Sequence, residues 1–159
     1  MRRVFITLTL TAAVALTACG PGQTDGWTQT NTAAGITLVK QESPDMQPFR
    51  LACAKAGPAL TLTAGVKQVS LANIAPPFAL VLSGATFEAA LVPGSDGAET
   101  FSVTAPLTGE MLAALSGATT ARISVNDGYA FAESAIDTGQ VFEKFAADCA
   151  TLTGVAAKP

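Results

Sequence analysis

Three cysteines, twelve acidic residues and no histidine set the chemistry open to this 159-residue chain. Without imidazole, neither a Ser-His-Asp nor a Cys-His arrangement can be built, and zinc sites that need histidine are excluded. No serine is followed three residues later by lysine, so the serine–lysine nucleophile of penicillin-binding enzymes is absent. The glycines between Gly57 and Lys67 do not have P-loop spacing. Asp96-Gly97 and Asp127-Gly128 lack oxygen ligands at calcium-loop spacing and read as turns. A carboxylate pair working on a glycan would have to come from Glu88, Glu99, Glu110, Asp127 or Glu133. Twelve acidic residues supply some such pair by chance, so the expectation is a protein that is not an enzyme. Arg50, Lys55 and Lys67 read either as ordinary solvated charges or as a small basic rim beside the first hairpin. Phe78, Phe87 and Phe101 read as core rather than as a ligand box.

The elements that must carry these residues are mostly strands. Ile36–Lys40 is a short strand candidate. Phe49–Ala54 alternates, with Phe49, Leu51 and Cys53 on one face, and Leu60–Thr63 alternates again after Gly57-Pro58. Alternation of this kind marks strands with one buried side, and the pair predicts a hairpin. Val66–Leu71 is a weaker strand candidate. Phe78–Leu82 is apolar on both faces and predicts a central strand; Ser83-Gly84 turns into Thr86–Leu91, and Pro93–Gly97 reads as a loop before Thr100–Thr104. The period then changes. Thr108 caps a short helix over 109–115, with Met111, Leu112 and Leu115 on one side and Gly117 as its stop. Ala121–Val125 and Tyr129–Ala132 flank the hairpin signal Asn126-Asp127-Gly128. Asp137 or Thr138 caps a final helix whose Val141, Phe142, Phe145, Ala146, Cys149 and Leu152 recur at helical spacing. Gly154 ends it, and the tail is expected to fray.

The start of the chain has a different order. Met1-Arg2-Arg3 is basic, Val4–Leu16 is an apolar run interrupted by Thr7, Thr9 and Thr11, and small residues lead into Cys19. That is the order of a secretory signal. The run is too short to span a bilayer, which needs about 20 apolar residues, and Gly20-Pro21-Gly22 breaks a helix there. Leu16-Thr17-Ala18-Cys19 resembles the lipobox of bacterial lipoproteins. The resemblance implies that the Cys19 thiol receives a diacylglyceryl group, that cleavage falls between Ala18 and Cys19, and that the new amino group is acylated. Two or more acyl chains anchor a protein stably where one holds it marginally. Gly20, where inner-membrane retention would favour aspartate, implies outer-membrane delivery facing the periplasm.

With Cys19 lipidated, Cys53 and Cys149 remain. In an exported domain such a pair reads as a disulfide, two buried thiols being the alternative. It would staple the last helix onto an early strand. Residues 1–18 read as the signal peptide, 19–35 as lipidated cysteine and tether, 36–152 as one β-rich domain and 153–159 as tail. Trp27, inside the tether, reads as the first contact of the domain or as an interfacial anchor. Formal net charge is −3, and the loss of Arg2 and Arg3 makes the mature chain more acidic. No basic cluster is present, which argues against nucleic acid and against anionic lipid headgroups as ligands.

The arrangement of helix 108–115, Ser116-Gly117, strand 121–125, a hairpin partner, Asp137-Thr138-Gly139 and a helix ending Phe145-Ala146-Ala147-Asp148-Cys149 resembles small exported bacterial proteins of the invasion-associated locus B type, and is similar to some accessory proteins of type VI secretion. Those are sheet domains with a late cysteine-bearing helix, and no catalytic residue carries over from them. The Phe49–Cys53 stretch is similar to lipoprotein inhibitors of lysozyme, although Ser83-Gly84 and Ser116-Gly117 are not followed by the tyrosine of that family. The expectation is therefore a mainly β domain with some α, an antiparallel sandwich or barrel-like sheet with a short helix and a disulfide-linked C-terminal helix. Its expected role is that of a lipid-anchored, non-catalytic module that binds an envelope protein or component, without cofactor or metal; the alternative is a muramidase inhibitor.

Overall fold

A computed structural model describes residues 26–40, 49–65, 75–92, 100–126 and 140–158, together with the backbone of 129–135. The signal segment, Cys19, the Val66–Leu71 strand candidate, the Pro93–Gly97 loop and the cap candidates Asp137 and Thr138 lie outside the described residues.

The strands are β1 (Trp27–Asn31), β2 (Gly35–Lys40), β3 (Phe49–Ala54), β4 (Ala59–Gly65), β5 (Phe78–Leu82), β6 (Ala85–Leu91), β7 (Thr100–Pro106), β8 (Thr120–Val125) and β9 (Tyr129–Ala135); the helices are α1 (Gly109–Ser116) and α2 (Gln140–Thr153). All nine strands join one antiparallel sheet in the order β1-β2-β3-β4-β7-β6-β5-β8-β9. The first four form a meander. In the second half β5, β6 and β7 are consecutive neighbours, and β8 returns through the long connection that holds α1 to lie beside β5. That spatial order is a Greek key.

The sheet bends at β6. Residues 85–89 of β6 pair with β5, whereas only Ala90 and Leu91 pair with β7. Cα atoms of β5 and β7 come within 8 Å of each other, closer than the two strand spacings, about 9.5 Å, that would separate them in a flat sheet. Phe78 and Phe101 meet across this bend with ring centroids 5.8 Å apart.

Alternation decides which residues turn inward. In register, Ile36, Cys53, Leu60 and Ala105 form one row across β2, β3, β4 and β7, and Leu38, Leu51, Leu62 and Val103 form the next. All eight are buried. On the other half, Leu80, Leu82, Ala121, Ile123 and Val125 continue the same core. Helix α2 lies on β2 and β3, and its Phe142, Phe145 and Cys149 are fully buried. Helix α1 packs on α2 and contributes Met111, Leu112 and Leu115. The expected disulfide is present: Cys53 on β3 joins Cys149 on α2, with Cα atoms 6.1 Å apart.

The sheet begins earlier than the alternation suggests. Trp27–Asn31, inside the stretch assigned to the tether, is an edge strand paired with β2. Trp27 is 1 % exposed, edge-on to Phe49 at 6.2 Å and to Phe142 at 5.3 Å. The Lys40 ammonium stands 5.7 Å from its ring centroid. Trp27 is thus a core contact and not a membrane-facing ring. β1 is also tied to α2 by polar groups. The Asp148 carboxylate accepts from the Gln29 amide and from the Lys144 ammonium, both at 2.6 Å, and Gln29 also donates to Asn31 at 2.9 Å. Partial burial raises the Asp148 pKa, but the hydrogen bonds from Lys144 and Gln29 and the Lys144 charge outweigh it, so the carboxyl sits below its ordinary 3.8.

The helix ends follow the expected residues, but Gly117 and the tail differ in detail. Thr108 caps α1 as expected, its hydroxyl accepting from the Met111 N–H at 3.1 Å. Gly117 closes the helix at φ −95°, outside the left-handed region, while Gly154 ends α2 at φ +74° in it. The tail after Gly154, expected to fray, is docked instead. The Lys158 N–H donates to the Gly109 carbonyl at 3.0 Å. Gly109 allows this approach because a Cβ there would collide with the Ala156 carbonyl and the Lys158 side chain.

Candidate functional site

The outward face of the β6-β5-β8 ribbon carries a shallow dish of about 440 Å³, lined by Pro77, Phe78, Ala79, Val81, Thr86, Glu88, Arg122 and Ser124. That is within the size range of small-ligand sites, ~300–1,000 Å³. Its construction follows from strand parity. Leu80 and Leu82 of β5 point into the core, so Ala79 and Val81 point out. Ala79 faces Glu88 on one side and Ser124 on the other, and Val81 faces Thr86 and Arg122. The dish therefore has an apolar floor of Ala79 and Val81, one hydroxyl on each flank, and one charge on each flank. Val81 is only 4 % exposed and Ser124 only 8 %, so the floor is recessed although it faces away from the helices.

The Ser83-Gly84 turn holds β5 and β6 in this register. Both residues have positive φ, 44° and 98°, as a two-residue hairpin of the tightly twisted kind requires. The Ser83 hydroxyl accepts from the Thr119 and Thr120 N–H groups at 2.7 and 3.2 Å, and the Ser83 N–H donates to the Thr120 carbonyl at 3.0 Å. The turn is thereby fastened to the start of β8. All three strands of the dish are fixed at one end.

Glu88 and Arg122 are two strands apart and offset by two residues along β5, which puts their Cα atoms roughly 12 Å from each other. Glu88 and Arg122 form no ion pair with each other or with another described residue. The half-buried Arg122 offers a planar array of donors, the exposed Glu88 an acceptor, and the space between them is apolar. Such a surface can hold a ligand with opposite charges at its two ends. Among the described residues Glu88 is the only carboxylate lining the dish.

The residues singled out from the sequence distribute as follows. Cys53 and Cys149 meet in the core, far from the dish, and Cys19 lies outside the described residues. Glu110 sits in the first turn of α1, and Glu133 occupies the β9 register position opposite Arg122. Glu99, Asp127 and Lys67 lie outside the described residues. Arg50 stands near one end of β3 and Lys55 follows its other end, so the strand separates them by about 17 Å and they form no common rim. Phe101 is core, Phe87 packs against it, and Phe78 serves both the core and the dish wall. Among the described residues no group of three Cys, Asp or Glu could hold a metal ion, and no helix is long and apolar enough to cross a membrane.

Sequence reading missed the dish. The alternation in Thr86-Phe87-Glu88 and in Arg122-Ile123-Ser124 shows that these polar residues share an outward side. It does not show that β8 returns to lie beside β5, which is what brings Arg122 and Glu88 to one surface. No family model matches the chain, and neither a curated protein nor a solved structure shows significant similarity to it.

Proposed function

We propose that this chain is a lipid-anchored protein of the bacterial cell envelope whose β-rich domain is a non-catalytic binding module. The anchor is Cys19, and Gly20 after it favours the outer membrane, with the domain on the periplasmic side. The observation that carries the binding role is the recessed dish with an apolar floor between Glu88 and Arg122. Glu88 on one flank and Arg122 on the other suit holding a ligand that carries opposite charges. The lack of histidine in the chain and the absence of a basic cluster support the same reading and turn it away from nucleic acid.

The test begins with the mature N-terminus. Mass spectrometry of the protein from its native envelope should find Cys19 as the first residue, carrying diacylglyceryl and N-acyl groups. Cys19→Ser should release the protein from the membrane fraction. A photo-cross-linker at Thr86, on the exposed rim of the dish, should label an envelope component in living cells where the same probe at Thr151 on α2 does not. An unmodified Cys19, or turnover of peptidoglycan by the purified mature chain, overturns the reading.

A further inference from the structure

We infer that the dish is a receptor for a short zwitterionic ligand of peptide type, its carboxylate taken by Arg122 and its ammonium by Glu88. This rests on the reading of the dish as the binding surface and deepens it by naming a ligand class. Four observations lead to it. The two charges are of opposite sign and kept apart by register, Glu88 level with Ala79 and Arg122 level with Val81. Side chains stand roughly perpendicular to a sheet, so their tips stay separated by about the same ~12 Å unless a ligand draws them together. Between them the floor is apolar and recessed, made of Ala79 and the nearly buried Val81. Ser124 and Thr86 place a hydroxyl on each flank, where the amide groups of a ligand backbone would need partners.

The chemistry narrows the occupant. A purely anionic ligand would meet Glu88 on an already acidic chain, and a purely cationic one would meet Arg122. Among the described lining residues a metal ion would find one carboxylate only. A fully apolar ligand would leave both charges partly dehydrated without partners, which is costly. A chain of two to three residues spans roughly 7–11 Å at ~3.3–3.6 Å per residue. That matches the gap once both side chains lean inward. Arg122 suits a carboxylate because its planar fork can donate two parallel hydrogen bonds.

The test uses the full mature chain carrying Cys19→Ser and the probe Ala-Ala-Ala, with both termini uncapped, followed by calorimetry and by backbone amide shifts. Binding is expected to shift the amides of Ala79, Val81, Glu88 and Ser124. Amidation of the probe's carboxylate should weaken binding about tenfold or more, as loss of a hydrogen bond to a charged group does. N-acetylation should do the same. Arg122→Gln should weaken the uncapped probe to a similar degree and be indifferent to amidation. Glu88→Gln should be indifferent to acetylation. Both variants change exposed or half-buried groups, and unchanged Trp27 fluorescence would show that each has folded. The inference is overturned if the uncapped probe gives no shifts at millimolar concentration, or if capping and substitution act additively. If it fails while Thr86 still cross-links an envelope component, the ligand class alone is wrong. If neither binds, the binding module falls with it.

Discussion

Opening the Cys53–Cys149 bond should weaken the fold chiefly by enlarging the unfolded ensemble. The bond closes a loop across 96 residues. The chain-entropy relation for a loop of that length gives about 16 cal/mol/K, or ~4.7 kcal/mol at 25 °C. Native-state packing adds a separate cost in a double Cys→Ala variant, because both sulfur atoms lie in the core, Cys53 at 2 % and Cys149 at 0 % exposure. Comparing the reduced chain with that variant separates the two effects. The assay is urea denaturation followed by fluorescence of Trp27, the only tryptophan, which reports α2 through its contact with Phe142. With m near ~2 kcal/mol/M, the midpoint should fall by about 2 M on reduction, and m should rise because an uncrosslinked chain exposes more surface. A shift worth less than ~1 kcal/mol with unchanged m would refute the reasoning. It would mean that the denatured chain keeps residues 53 and 149 close without the bond.

Phe145→Ala, at a fully buried α2 position, should lower stability by about 3–5 kcal/mol in the same urea assay. Asp148 has a folded pKa below its ordinary 3.8, so its contribution is fully present above that value and is lost as pH falls through the folded pKa. Acid titrations should therefore show wild-type stability falling more steeply than that of Asp148→Asn below about pH 4. Gly109→Ala places a Cβ where the tail lies; amide exchange at Lys158 should accelerate at least tenfold while α1 stays protected. A muramidase rate measured with micromolar mature chain should be unchanged, and strong inhibition would favour the inhibitor class instead.

Much of the fold is legible because its signals are local. Phe49-Arg50-Leu51-Ala52-Cys53 alternates, and β3 spans Phe49–Ala54 with the odd-numbered residues buried. Phe142, Phe145 and Cys149 recur at helical spacing, and α2 buries them. Thr108 announces its cap. What escaped depends on neighbours distant in sequence. Trp27-Thr28-Gln29-Thr30-Asn31 is polar and reads as tether because an edge strand needs only one buried side chain in five, and its Gln29 is held by Asp148 of α2. The docked tail depends on a glycine, Gly109, whose role is invisible until α1 and residues 156–158 are side by side. The dish fails to announce itself for the same reason: its charges come from β6 and β8, joined through a Greek-key crossover.

The strand order also has a consequence for the order of synthesis. A chain made from its N-terminus completes β1–β4 by Gly65. The inward row Ile36, Leu38, Leu51, Cys53, Leu60 and Leu62 then lacks α2, which packs on β2 and β3 and follows all nine described strands. Translation at about 5–20 residues per second leaves an interval of roughly 5–20 s between Cys53 and its partner 96 residues later. During that time the apolar face of the half-sheet and the Cys53 thiol lack the partners that α2 will bring. The Cys53–Cys149 bond can therefore close only once α2 has been made and laid on β2 and β3.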